Sequence, residues 1–204
     1  MSPPVTISIR PIRGGEEEFL REMLYHALYV LAGSEPFPRG IVDNPEIGRY
    51  VQSWGRAGDE ALIAVDDSDQ RPVGAIWMRL WAGADRGYGY VGDDIPELSM
   101  AVLPEYRGKG IGSALLTRLL EDAEGRFACI SLSVSTSNPA MGLYLRFGFE
   151  SVAEAGDSVT APADFLTAPA GSLTAPAASL TAPAASLTMM KRLKLSKPQG
   201  EARN

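Results

Sequence analysis

The chain has 204 residues, 45% hydrophobic and 22% charged, which suits one packed domain and excludes disordered and collagen-like classes. Its net charge of −6 sets the surface as a whole against nucleic acid and anionic membranes, so neither is expected as a partner and a cationic one, such as an amine, fits better. No stretch approaches the ~20 apolar residues that cross a bilayer, and residues 1–10 lack a signal-like core, which points to the cytoplasm.

Residues 5–9 alternate β-branched with smaller side chains and read as a first strand. Gly14-Gly15 then leads into an acid-led helix from Glu16 to about Val30. Pro36, Pro38 and Gly40 make a loop, and Asn44-Pro45 supplies the N-cap and first-turn proline of a short helix reaching Trp54. Residues 60–66 and 72–81 are two strands, antiparallel because the polar turn 67–71 between them has hairpin length. A Gly- and Tyr-rich connection follows, then a strand over 97–103.

The stretch 110–124 is a helix whose Ile111, Leu115, Leu116, Leu119 and Leu120 form a wide apolar stripe, so it should lie on the sheet. Residues 129–135 form a strand, 139–146 a short helix, 149–155 a further strand, and 187–195 the last one. The single cysteine, Cys129, sits in an apolar run and reads as a small core residue. The only histidine, His26, lies in a different element and reads as a helix-packing residue.

Thr-Ala-Pro-Ala recurs at Thr160, Thr167, Thr174 and Thr181, with Leu166, Leu173, Leu180 and Leu187 in step. The leucine period suggests a coiled coil, but Pro162, Pro169, Pro176 and Pro183 would each cost ~3 kcal/mol inside a helix. The repeat over 158–187 is therefore taken as an insertion in the last hairpin of a domain spanning 4–198, followed by a tail at 199–204. Inert tandem duplication of a loop is favoured over a partner-binding arm. Deleting 160–187 would fuse Val159 to Thr188 and leave a tight hairpin.

The chemistry concentrates in Val102-Leu103-Pro104-Glu105-Tyr106-Arg107-Gly108-Lys109-Gly110-Ile111-Gly112, where a strand ends and the striped helix begins. The glycines let backbone approach a ligand, unpaired amides and the positive helix end point outward, and Arg107 and Lys109 add charge, so the segment is an anion site suited to a pyrophosphate. A Walker loop would need glycine and Ser/Thr where Leu103 and Gly110 stand. A dinucleotide site would want its glycines after the first strand of a βαβ unit, a small residue at the third glycine position and an acid near the strand end at 133–135, and Ser113 and the serine-rich strand fit it poorly.

The pattern Arg-x-x-Gly-x-Gly, carried by Arg107, Gly110 and Gly112 after a Val-x-Pro strand ending, closely resembles the pyrophosphate loop of the GNAT acetyltransferases. A second block, Ser137-Asn138-Pro139-Ala140 with Leu143-Tyr144-Leu145-Arg146-Phe147-Gly148-Phe149, is similar to that family's other signature and follows in the right order. The resemblance implies an α/β (α+β) fold with a central mixed, mostly antiparallel sheet of six to seven strands, about four flanking helices and splayed central strands. It implies acetyl-CoA as acyl donor, no metal, an amine attacking directly in a ternary complex, and a homodimer as a common assembly. A non-catalytic acyl-CoA sensor on the same fold is the alternative.

Carried over residue by residue, the resemblance gives Met100, Ala101 and Val102 backbone contacts to the pantetheine arm. Arg107, Gly108, Lys109, Gly110, Ile111 and Gly112 cradle the pyrophosphate, and Asn138 bonds the pantetheine arm or caps its helix. Tyr144 matches the tyrosine that protonates the departing thiolate, its plainer role being packing. Glu97 is the expected general base, on one strand face with Ser99 and Ala101. Ordered water, Asp93 and Asp94 are its substitutes, and an acceptor-binding or merely solvated carboxylate is its plainer reading. The acceptor would meet Tyr25, Tyr29, residues 36–39 and residues 88–94.

Overall fold

The structure, a computed structural model, describes residues 6–83, 85–152 and 186–194. The repeat up to Ala185 and the tail expected from the sequence lie outside these residues. Seven strands form one sheet in the order β1-β2-β3-β4-β5-β7-β6: β1 (Ile7–Pro11), β2 (Glu60–Asp66), β3 (Pro72–Arg79), β4 (Glu97–Val102), β5 (Cys129–Ser135), β6 (Glu150–Ser151) and β7 (Ser186–Arg192). All neighbours are antiparallel except β4 and β5. The helices are α1 (Glu17–Ala27), α2 (Pro45–Gly48), α3 (Ile111–Ala123) and α4 (Met141–Arg146), with 3-10 turns at Arg39–Asp43 and Pro104–Tyr106.

Period-two alternation divides the core between the two faces of the sheet. Leu62 and Ala64 of β2, and Val73, Ile76 and Met78 of β3, join the stripe of α3 on one face. Ile63 and Val65, with Ala75 and Trp77, meet Leu20, Met23 and Leu24 of α1 on the other. Both β2 and β3 are thus covered twice, which explains their near-continuous apolar sequences.

The largest departures from the sequence expectation are at element ends. The first strand sits two residues later than expected, at Ile7–Pro11. The first helix stops at Ala27, three residues short of Val30, because Leu28 turns extended. The helix expected to reach Trp54 stops at Gly48. Beyond it, Arg79 of β3 captures the carbonyls of Arg49 and Gln52, the latter at 2.9 Å, so this backbone caps a buried guanidinium instead of continuing a helix. Arg79 also pairs with Asp59 at 2.7 Å, both side chains only 1% exposed. The strand expected over 149–155 is reduced to Glu150–Ser151, with Phe149 drawn into the core against Tyr144 and residues 153–155 outside the described set. Among the described residues no helix is long and apolar enough to cross a membrane.

The feature that positions the site is the break between β4 and β5. They share a single register pair, Glu97 with Ser131, closed by the Ser131 amide donating to the Pro96 carbonyl at 3.0 Å. Beyond that point the strands splay.

Candidate active site

Strand alternation decides which β4 peptide groups line the splay. Leu103 N–H donates to the Val73 carbonyl on the β3 side. The groups of Ala101 and Ser99 therefore face β3, and those of Met100 and Val102 face the gap. The Val102 carbonyl accepts from Arg107 Nε at 3.0 Å, and the same guanidinium donates to the His26 carbonyl at 3.3 Å. Arg107, expected as mobile charge for an anion, here ties the end of β4 to the end of α1.

The loop from β4 to α3 is held by its flank. Tyr106 Oη donates to Asp66 at 3.0 Å and Arg71 pairs with Glu105 at 3.2 Å, so the turn between β2 and β3 braces it. Lys109 lies over the Tyr106 ring at 4.8 Å. Gly108 and Gly110 have φ of 73° and 83°, where an L side chain is strained, and nothing stands within 4 Å of either missing Cβ. Gly110 caps α3 without a side-chain partner. Among the described residues no acceptor meets the amides of Ile111, Gly112 and Ser113, which leaves an open, positively polarised helix start. The Ile111 side chain is core, so only its backbone is available to a ligand. Gly112 faces Met100 and Leu143, with its absent Cβ 3.5 and 3.6 Å from them, so the first turn of α3 touches both β4 and α4.

Asn138 Oδ1 accepts from the Ala140 amide at 2.9 Å, so its capping role is realised at the entrance to α4. Tyr144 follows on α4, 7% exposed and edge-on to Phe149 at 5.8 Å. Burial pushes its phenol up to about 12, so the hydroxyl keeps its proton at neutral pH. The β4 edge, the glycine loop, the start of α3 and α4 thus converge on the open end of the splay.

Glu97 does not join them. It is 3% exposed, at the closed end of the splay and on the α1 face, while Tyr144 belongs to the α3 face. Its Oε1 accepts from Tyr50 Oη at 2.9 Å and from the Gly89 amide at 2.8 Å, and its Oε2 from Trp81 Nε1 at 2.8 Å. Desolvation raises its carboxyl to about 7 against the pull of these donors. Asp93, one of the named substitutes, is engaged by Tyr90 Oη at 2.6 Å. His26 is neutral-leaning, its pKa lowered by burial, and packs edge-on against Tyr25.

A sequence profile described as the Acetyltransferase (GNAT) family matches residues 23–149, more than half of the chain. The chain belongs to the GNAT acetyltransferase family. A Bacillus subtilis (strain 168) protein described as a candidate ribosomal protein bS18-alanine N-acetyltransferase is 39% identical over 66 residues, 31% of this chain and 44% of that relative. The match therefore spans less than half of the relative's length. Among solved structures, the Escherichia coli ribosomal-protein-S18-alanine N-acetyltransferase overlays with TM-score 0.56 at 16% identity, covering 98% of this chain and 99% of that one. Salmonella typhimurium yncA, solved with its cofactor acetyl-CoA, gives 0.59 at 17%, covering 97% and 99%. At these identities the likeness shows the fold, and the splayed seven-stranded sheet is that GNAT fold.

Within this GNAT chain, several site-shaping residues escaped the sequence reading. Tyr50 and Trp81 meet Glu97 beside Gly89, which lies in the expected acceptor stretch 88–94, and Asp66 braces the glycine loop through Tyr106 of its motif. The Gly- and Tyr-rich stretch before β4 signalled Gly89, and nothing local pointed to Tyr50, Trp81 or Asp66.

Proposed function

We propose that this acetyltransferase moves the acetyl group of acetyl-CoA onto a primary amine in a ternary complex. The observation that carries the reading is the open amide cluster at the start of α3, lying beside β4 peptide groups that have no strand partner. In this reading the amides of Gly110, Ile111 and Gly112, with Gly108 and Lys109, hold the pyrophosphate. Met100 and Val102 present their peptide groups to the pantetheine arm, Val102 after Arg107 yields its carbonyl, Ala101 between them keeps its groups on β3, and Asn138 adds a side-chain contact. Acetyl-CoA supplies the activated carbonyl and a thiol leaving group.

The nitrogen forms its bond to the carbonyl carbon as the carbon–sulfur bond breaks, and the ammonium proton leaves. Tyr144 meets the sulfur. With its phenol at about 12 and a thiol near ~8.5, complete proton transfer runs uphill. Tyr144 therefore acts chiefly by donating a hydrogen bond to the charge that grows on sulfur. Much of the remaining acceleration comes from holding amine and thioester together. In this reading the proton from the amine goes to water, one of the substitutes for Glu97, whose carboxyl is 3% exposed and held by three donors.

The test is thiol release from acetyl-CoA against an amine panel that includes an alanine-terminated peptide, chosen from the relatives above, and spermidine, beside a thermal shift with acetyl-CoA. Donor-dependent stabilisation with release on at least one amine is expected. Stabilisation without release on any amine turns the reading into the acyl-CoA sensor, and no stabilisation removes the donor site.

A further inference from the structure

The knot around Glu97 is a buried polar assembly that the transfer reading leaves without work. Its three donors come from separate segments: Tyr50 after α2, Trp81 after β3, and Gly89 from the connection to β4. The Tyr50 oxygen also accepts from the Tyr88 amide at 2.6 Å, and its ring stacks on Tyr88 and meets Trp81 edge-on. The fit admits no side chain at Gly87 or Gly89. A Cβ on Gly87 would strike Glu97 Oε2, and one on Gly89 would lie 2.5 Å from the Leu132 carbonyl carbon.

Charged neighbours do not compete for the carboxylate. Arg79, its register partner on β3, is committed to Asp59, and Glu46 and Arg49 act on Tyr88. From β5 comes only Ser131, whose buried Oγ has no partner among the described residues. A proton acceptor needs one face open to its substrate, and Glu97 has none. It also lies three residues before Met100, about 10 Å of strand away from the proposed donor contacts.

We infer that Glu97 is a positioning residue, whose carboxyl group fastens segment 87–90 onto the sheet as the wall of the acceptor site. Its part in amine binding rests on the acetyltransferase reading, whereas the fastening itself does not.

Two full-length variants test it, Tyr50→Phe and Glu97→Gln, the first leaving the carboxylate in place should the second fail to fold. Without substrate, amide exchange over 87–90 should quicken about tenfold in Tyr50→Phe, the loss expected for one hydrogen bond, and the Trp81 indole N–H resonance should move in Glu97→Gln. With the alanine-terminated peptide and acetyl-CoA, the peptide KM should rise about tenfold in both variants. Their kcat and the acetyl-CoA KM should stay within about threefold of the parent, with an unaltered pH profile of kcat. Loss of about 100-fold or more in kcat for Glu97→Gln with unchanged exchange would make Glu97 the proton acceptor and overturn the inference. Unchanged exchange together with unchanged KM overturns it as well. If the parent turns over no amine, the transfer reading fails on its own, and exchange alone decides the fastening.

Discussion

Tyr144 and Glu97 are both buried ionisable side chains whose pKa values are raised, with opposite consequences. For Tyr144 the shift keeps the phenol protonated, so in the proposed transfer its contribution would be that of a hydrogen bond to a charged acceptor, about 1.5–3 kcal/mol. Tyr144→Phe should therefore lower kcat about 10- to 100-fold with little change in either KM, read by thiol release. For Glu97 the shift bears on folding. Its carboxyl sits at about 7 in the folded chain, above the ~4.3 of an unfolded one, so its stabilising contribution is complete at low pH and is lost as pH climbs toward 7. Relative to Glu97→Gln, the parent should lose about 3 kcal/mol between pH 4 and 7.5 and then stay level, as followed by urea midpoints. Sequence could nominate both side chains from strand alternation and family motif. It could not supply their surroundings, since Tyr50 and Trp81 lie 47 and 16 residues from Glu97 and neither carries a motif.

At the scale of elements, the donor end depends on how α3 begins. Gly110→Ala introduces no clash, only a side chain at φ 83°, at a cost of about 1–2 kcal/mol. The melting temperature should fall by a few degrees and the acetyl-CoA KM should rise, while the KM of the amine holds. Elements with a strong period were legible almost to the residue: β2 fits its expected span, and α3 and β4 fall one residue inside theirs. Elements whose limits are set by tertiary partners were not. α2 ends where Arg79 claims carbonyls from a strand 27 and 30 residues away, and nothing in the local sequence announces that demand. β6 begins one residue late because Phe149 is packed against Tyr144, a contact that propensity does not see.

For the molecule as a whole, the register of β7 bears on the repeat. Ser186 and Leu187 pair with Ser135 and Val134, and Thr188 with Ser133. Excising 160–187 places Ser158 and Val159 immediately before Thr188, so Ser-Val replaces Ser-Leu and the pairing pattern is preserved in kind. The deleted protein should fold and release thiol within about threefold of the parent, a change of the size expected away from the core. A larger loss would give the repeat a part in the reaction.

The single Glu97–Ser131 fastening divides the sheet into two leaves, β1 to β4 and β5 to β7, that share an apolar core but almost no hydrogen-bonded seam. A donor molecule lying in the gap would act as the missing stitch. Cooperativity of unfolding should then sharpen with donor concentration, and the supply of acetyl-CoA would set how stiff the enzyme is before any amine arrives.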